Sequence, residues 1–512
     1  MPAAKFSNIP ANHFRTLSFL SGSLAVLALP PFYHWYVLFL SFSSFLWLLH
    51  NSSSPKRAFA IGWWFGFGFF AFGLSWINNA LLVNPQQTGW LIPIVFIASG
   101  AFFGLFTGIP SLLAFGVKPP VARFLALSGW LVVFEWIRSW ILTGFPWNLW
   151  GSCLAFSPEL TQAASVFGTY GLSLAVIMTA AAPALALIYR THRSVICSLG
   201  IILLVPALLY GFGALRLGKL HNLGESDFKI RLVQPSIPQN LKWSPELKQK
   251  NFEKHVTMSA EKPLDEISMT IWGETASPYP LDRDEEARMS ALSAIGDNGY
   301  LITGQVRFED DYYGGWYPLN SALIINKQGI IEDAYDKNHL VPFGEYIPLR
   351  RYLPDAIRPV TGTITDFKAG SGPKIINLPD IPPFGIQICY EIIFPHRIID
   401  AKHKPDWLIN LTNDGWYGLS AGPYQHLVSA QMRAVEEGLT IIRSAGSGIS
   451  ALIDCYGRVL QKLDLHQEGI LDITLPQQLK ITTVYNLFGN GLILTLCLIN
   501  MLIAAIIHRK QK

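Results

Sequence analysis

The chain has 512 residues, of which 50% are hydrophobic, 13% aromatic and 14% charged, with a formal net charge of +4 and a mean hydropathy of +0.31. An ordinary soluble domain carries about 25% charged residues, so a single large soluble enzyme is excluded. Disorder is excluded as well, because this much apolar surface has to be buried.

The average hides a split. Residues 1–219 hold 11 Lys/Arg against two acids, Glu135 and Glu159; residues 220–487 hold 25 against 33; residues 488–512 hold three bases and no acid. A spanning helix needs about 20 mostly apolar residues. Between Thr16 and Pro55 there is no charged residue, and Pro30-Pro31 divides this run into two spans. Further runs follow at Phe59–Val83, Trp90–Val117, Phe124–Leu142, Leu160–Tyr189 and Ser194–Leu215, with a last one at Leu487–Ile507. The expected organisation is a bundle of seven transmembrane helices over 1–219, an extracytoplasmic domain over 220–486, and an eighth helix with a tail over 487–512.

Orientation follows from Lys and Arg in the short connections. Lys5, Arg15, Lys56, Arg57, Lys118, Arg123, Arg190, Arg193, Arg509, Lys510 and Lys512 all fall on one side of an eight-span chain, and the opposite loops carry no base. Arg216 and Lys219 on the outer side are a minor counter-signal. Both termini are therefore expected in the cytoplasm, with the domain after span seven outside it. Glu135 and Arg138 lie three residues apart on one helix face and are expected as a mutually neutralising pair. The Gly62–Trp76 segment is expected to serve close helix packing.

After Gly218 short β-branched runs alternate with amphipathic stretches. Strands are predicted at Phe228–Val233, Met269–Trp272, Tyr300–Thr303, Ala322–Ile325, Gly385–Ile388, Trp407–Leu411, Thr440–Arg443 and Ile449–Ile453. Helices are predicted at Pro245–Ala260, Asp284–Ile295 and Pro423–Glu437. This alternation predicts a layered α/β domain. There is no glycine-rich phosphate loop, no metal-ligand spacing and no basic nucleic-acid stripe, so no cofactor, metal or nucleic acid is expected.

Of the five cysteines, Cys389 and Cys455 lie in the exported domain, where two thiols could form a disulfide. Their contexts differ. Cys455 sits in a turn after a strand, whereas Cys389 ends the strand Gly385–Ile388 and precedes Tyr390-Glu391. A thiol is a weak nucleophile until a base takes its proton. Glu274, just past the Met269–Trp272 strand, has the chemistry of such a base. Lys337 has that of a cation that favours the thiolate and stabilises an oxyanion.

In chain order the residues read Trp272-Gly273-Glu274-Thr275, then Lys337-Asn338-His339-Leu340-Val341-Pro342-Phe343-Gly344-Glu345-Tyr346, then Cys389-Tyr390-Glu391. This series resembles the Glu–Lys–Cys triad of the nitrilase (carbon–nitrogen hydrolase) superfamily. With its flanking spans, and through Asn413-Asp414-Gly415-Trp416-Tyr417-Gly418, Gln425-His426-Leu427, Arg433-Ala434-Val435-Glu436 and Gly448-Ile449-Ser450, the whole chain resembles the membrane-embedded apolipoprotein N-acyltransferase family. The resemblance implies an αββα sandwich carried on a membrane helix bundle. It implies Glu274 as general base, Lys337 as the oxyanion-side charge and Cys389 as nucleophile. Glu345, Tyr390, Glu391, Trp243 and Trp416 match supporting or substrate-binding positions. The activity implied is a ping-pong transfer of an acyl chain from a phospholipid, through a thioester, to the N-terminal diacylglyceryl-cysteine of an apolipoprotein. The setting implied is a monomer in the bacterial inner membrane with its catalytic domain on the periplasmic side. Two departures stand out: Gly273 replaces a usual Pro and Gly446 a usual Asn. A tethered amidase acting on a small molecule shares the triad but needs only one span. A transporter with an inactive sensor domain shares the bundle but needs no triad.

Overall fold

A computed structural model describes residues 11–218, 224–310, 315–354, 358–362, 365–400 and 403–511. Lys5, Lys219 and Lys512, which enter the charge bias, lie outside the described residues. The chain forms two compact units. One comprises Met1–Asn78, Gln87–Lys219 and Thr483–Lys512; the other comprises Asn79–Gln86 and Leu220–Thr482.

The first unit is helical. Among the described residues, five helices are long and apolar enough to cross a membrane: Pro85–Phe115, Pro120–Arg138, Ala164–Tyr189, His192–Gly218 and Gly491–Lys510. Pro55–Gly73 and Ser75–Leu81 make a sixth if counted as one span, bent by 43°. The expected eight is therefore matched only in part, and the shortfall lies in the Thr16–Pro55 run. That run gives helices of 15 residues, Ala11–Ala25, and 14 residues, Val37–His50. At about 1.5 Å per residue each is roughly 20 Å long, short of the ~30 Å hydrocarbon core. The residues between them, around Pro30-Pro31, form a 3-10 turn and loop instead.

Glycines let these helices approach. A Cβ at Gly62 would stand 2.4 Å from the Thr107 carbonyl oxygen, and one at Gly66 would stand 1.9 Å from the Thr107 hydroxyl. The Thr107 hydroxyl donates to the Gly62 carbonyl at 2.7 Å. The Glu135–Arg138 expectation changes in detail. Glu135 accepts from the Trp150 backbone N–H at 2.9 Å, while Arg138 donates to the Phe145 and Trp147 carbonyls at 2.6 and 2.7 Å. Both charged groups anchor the backbone that follows their helix, where non-helical residues have no ladder of their own.

The second unit contains two six-stranded sheets, with orders β12-β1-β2-β3-β4-β5 and β11-β10-β9-β8-β7-β6. The strands of the first are β1 (Glu225–Gln234), β2 (Ile267–Trp272), β3 (Tyr300–Asp310), β4 (Trp316–Asn326), β5 (Ile331–Asp336) and β12 (Gly469–Pro476). Those of the second are β6 (Ile375–Leu378), β7 (Ile381–Ile388), β8 (Trp407–Thr412), β9 (Thr440–Ala445), β10 (Ser450–Ile453) and β11 (Val459–Leu463). Each sheet has a parallel trio at its centre, β1-β2-β3 and β7-β8-β9. Strands buried on both faces read as near-continuous apolar runs, which is why Trp407–Leu411 and Met269–Trp272 were legible. One core lies between the sheets, with Leu232, Ile271 and Ile302 meeting Ile388, Ile409 and Ile442. A second lies outside the first sheet, where Leu301 and Leu323 meet Phe252 and Ala291 of helices Lys248–Ser259 and Glu285–Ala291. Helix Gly422–Glu437 buries Val428, Ala430 and Ala434. β5 is antiparallel to β4, and β4 to β3, so β5 runs with β2. The C-terminal ends of β2 and β5 consequently share one sheet edge.

Candidate active site

Glu274 stands two residues beyond β2, on a turn that needs Gly304 of β3 beneath it. The Gly304 N–H donates to the Gly273 carbonyl at 3.2 Å, and a Cβ at Gly304 would lie 2.7 Å from Glu274 Cα. Thr275 follows with φ +47, a conformation uncommon for a β-branched residue. Lys242 secures the turn from above, its ammonium donating to the Glu274 carbonyl at 2.9 Å and to the Thr275 hydroxyl at 3.0 Å. Burial lowers Lys242 to about 8, against the opposing pull of Glu274 and Cys389.

Lys337 follows β5 directly and is 1% exposed. Its ammonium lies 2.9 Å from Glu345 Oε1 and 3.4 Å from Glu274 Oε1. Burial alone would push this lysine down, but the carboxylates of Glu345 and Glu274 outweigh it and hold the ammonium well above its ordinary value. Asn320 of β4 joins the same pair, its amide donating to Glu274 Oε1 and Glu345 Oε1 at 2.8 Å each. Glu345 also accepts from the Val341 N–H at 2.8 Å. One cation and one amide thus lie between two buried carboxylates.

Cys389 follows β7 with φ +50, so the chain turns sharply where the thiol emerges. Glu391 holds this corner. Its carboxylate accepts from the Ile388 N–H at 2.7 Å, the Asn338 and His339 N–H groups at 2.8 and 3.1 Å, and the Tyr335 hydroxyl at 2.9 Å. Ile388 precedes the cysteine, whereas Tyr335, Asn338 and His339 lie on either side of Lys337, so Glu391 fastens the lysine's strand end to the cysteine's. On the other side, the Cys389 carbonyl accepts from His426 Nε2 at 3.1 Å. His426 Nδ1 lies 2.8 Å from Asp414, whose second oxygen accepts from Arg443 at 2.7 Å. Asp414 is buried, which alone would raise it, but Arg443 and His426 hold it down at about 2. The Cys389 thiol is pushed up to about 12, first by burial and then by Glu274; Lys337 opposes this. At rest it is a thiol rather than a thiolate.

The expected site residues divide accordingly. Glu274, Lys337 and Glu345 form one contact cluster, and Glu391 ties it to Cys389. Tyr390 is buried, its ring 5.1 Å from Phe394. Trp243 is 47% exposed and follows Lys242. Trp416 is half-buried in the turn Asp414–Tyr417. Sequence reasoning missed Asn320, Lys242 and Tyr417, the last with its hydroxyl 3.9 Å from the Cys389 sulfur. Tyr417 was inside a quoted motif; Asn320, amid an apolar strand, was the polar residue that could have drawn notice. The two departures meet in space, since a Cβ at Gly273 would lie 2.9 Å from the Gly446 nitrogen. Among the described residues, which include all five cysteines, there is no disulfide, and Cys455 is buried. Among the described residues no group of three or more His, Cys, Asp or Glu could hold a metal ion.

A buried base-type carboxylate, a paired ammonium and a cornered thiol can together perform covalent acyl chemistry. Two family models match the chain: an apolipoprotein N-acyltransferase N-terminal domain over residues 21–182 and a carbon-nitrogen hydrolase domain over 229–483. A relative from Rhodopseudomonas palustris, apolipoprotein N-acyltransferase, is 36% identical over 482 residues, covering 90% of this chain and 89% of its own. One of the same name from Allorhizobium ampelinum is 38% identical over 478 residues, with 90% and 89% covered. A solved amidase of the nitrilase superfamily from Nesterenkonia is 17% identical with a TM-score of 0.37, covering 49% of this chain and 92% of its own. On identities of 36% and 38% over 90% of its length, the chain belongs to the apolipoprotein N-acyltransferase family.

Proposed function

We propose that this protein moves an acyl chain from a membrane phospholipid, through a thioester on Cys389, to the α-amine of the N-terminal S-diacylglyceryl-cysteine of an apolipoprotein. The observation that carries the reading is the cluster in which Lys337 contacts Glu274 and Glu345, fastened through Glu391 to the corner that bears Cys389.

Glu274 takes the thiol proton as sulfur attacks the donor's ester carbonyl. The tetrahedral intermediate collapses with cleavage of the C–O bond, and the same proton passes to the departing lysophospholipid oxygen. The acceptor amine then attacks the thioester. Glu274 takes a proton from nitrogen, the C–S bond breaks, and the proton returns to sulfur. Lys337 stabilises the oxyanion in both halves, and Glu345 keeps it charged. A thiol that is protonated at rest suits this scheme, because base removal is coupled to attack. Tyr390 and Glu391 support the nucleophile's corner, and Trp243 and Trp416 supply aromatic surface for lipid.

The topology that fits these substrates has eight spans, with both termini cytoplasmic and the catalytic domain on the periplasmic side of the inner membrane. The two short helices Ala11–Ala25 and Val37–His50 then serve as spans one and two. The enzyme works as a monomer. The purified protein is incubated with phospholipid and a diacylglyceryl lipopeptide. The expected products are lysophospholipid and N-acylated lipopeptide in equal amounts. Free fatty acid in place of the amide would instead identify a tethered hydrolase.

A further inference from the structure

Cys389 has a neighbour outside the carboxylate–lysine cluster. Tyr417 closes the turn Asp414–Tyr417, and its phenolic oxygen lies 3.9 Å from the thiol sulfur. Such contacts are often long before substrate binds and tighten along the reaction.

The position of Tyr417 is fixed by groups other than its hydroxyl. Its ring meets the His426 imidazole edge-on, with centroids 5.8 Å apart. His426 is itself held by Asp414 and by the Cys389 carbonyl. The Tyr417 carbonyl accepts from the Asn79 amide at 2.6 Å and from the Ser420 hydroxyl at 2.7 Å. Gly418 follows with φ +57, and a Cβ there would face Asn79 at 3.4 Å. Asn79, remote in sequence, therefore belongs to the seat of this turn. The phenol is held well above its ordinary pKa, first by burial and then by the neighbouring Cys389, Asp414 and Glu274. It stays protonated, a donor rather than a base.

We propose that Tyr417 is a further catalytic residue: its hydroxyl donates to the Cys389 sulfur as negative charge develops there, and Asn79 is the positioning residue that holds the tyrosine in place. This rests on the reading of Cys389 as the nucleophile. No bond to Tyr417 oxygen forms or breaks. The thiol proton still goes to Glu274, and the phenol only accompanies the sulfur lone pair, in the attack and again when the thioester C–S bond breaks. The same hydrogen bond serves both half-reactions.

The test compares full-length wild type, Tyr417→Phe and Asn79→Ala. The rate of Cys389 alkylation by iodoacetamide is followed by peptide mass across the pH range, and thioester formation is followed in a single turnover with phospholipid. Tyr417→Phe keeps the ring, and with it the contact to His426. A hydrogen bond to a charged group predicts a loss of about tenfold in both rates, an upward shift of the alkylation pH midpoint, and no change in KM for the donor. Asn79→Ala moves the same readouts in the same direction by a smaller factor. Tyr417→Phe rates within twofold of wild type, or slow turnover with an unmoved alkylation profile, would overturn the proposal. The alkylation comparison needs no lipid. Failure of wild type to form an acyl adduct would count against the acyl-transfer reading and leave that comparison intact.

Discussion

The two sheets of the α/β unit bury charge in opposite ways. On the first sheet's edge, Lys337 meets two carboxylates, Glu274 and Glu345, with Asn320 donating to both. On the second, Asp414 meets a guanidinium and an imidazole, and Arg443 also donates to Asn410 at 2.5 Å. The first cluster has a carboxylate in excess of its fixed cation. In the second, the carboxylate is held by a permanent cation and has no reason to titrate near neutrality. On the proposed function, chemistry belongs to the first cluster and scaffolding to the second. Cys389 stands where the two meet.

Mutations that break the first cluster should give the largest effects. Glu274→Gln removes the proposed base and keeps its shape, and thioester formation should fall by about 10²–10⁴-fold. A drop of less than twofold in a single-turnover assay would remove Glu274 from that role. Gly304→Ala tests the same carboxylate through its support. Its new Cβ would meet the backbone of Glu274 and Thr275 at 2.7 Å or closer, and displacement of a reacting group by about 1 Å costs on the order of 10²-fold. Wild-type turnover in that variant would mean that the turn's geometry is unimportant.

The second cluster should break differently, through stability and its pH dependence. Asp414 sits at about 2 in the folded protein, below the ~3.9 of an unperturbed aspartate. Its contribution is fully present above about pH 4 and is lost as pH falls through 2. Removing one partner of a buried pair typically costs about 3–5 kcal/mol. Asp414→Asn should therefore lower the thermal midpoint at pH 7, and the gap to wild type should close on acidification towards pH 2. A gap that is constant with pH would show that the pair contributes nothing electrostatic. The smallest effect is expected for Cys455→Ala. Cys455 is a buried thiol outside the cluster, and its removal should leave turnover within about twofold of wild type, measured in the same assay.

Much of this contrast was legible in the sequence. Apolar β-branched runs marked the central strands, and Glu274 and Cys389 each follow one, whereas Lys337 follows the polar edge strand β5. Four strands escaped notice: β5 reads Ile-Glu-Asp-Ala-Tyr-Asp, β6 has four residues, β11 exposes three of its five, and β12, Gly469–Pro476, is apolar but was not marked. In the first three, pairing supplies what composition does not. The contacts of Asn320 and Tyr417 became visible only in three dimensions, since the carboxylates or thiol that they meet come from distant parts of the chain. In the helical unit composition marked the apolar segments but not their helical length. The residues around Pro30-Pro31 leave two helices of 15 and 14 residues where full spans were expected.

The most direct test of the central claim is the mass of the Cys389 peptide after incubation with phospholipid alone. An acyl chain should appear on that cysteine and disappear when a diacylglyceryl lipopeptide is added, with matching gain of N-acylated product. Full acylation of the lipopeptide by a protein whose Cys389 is never modified, or is replaced by alanine, would contradict the account.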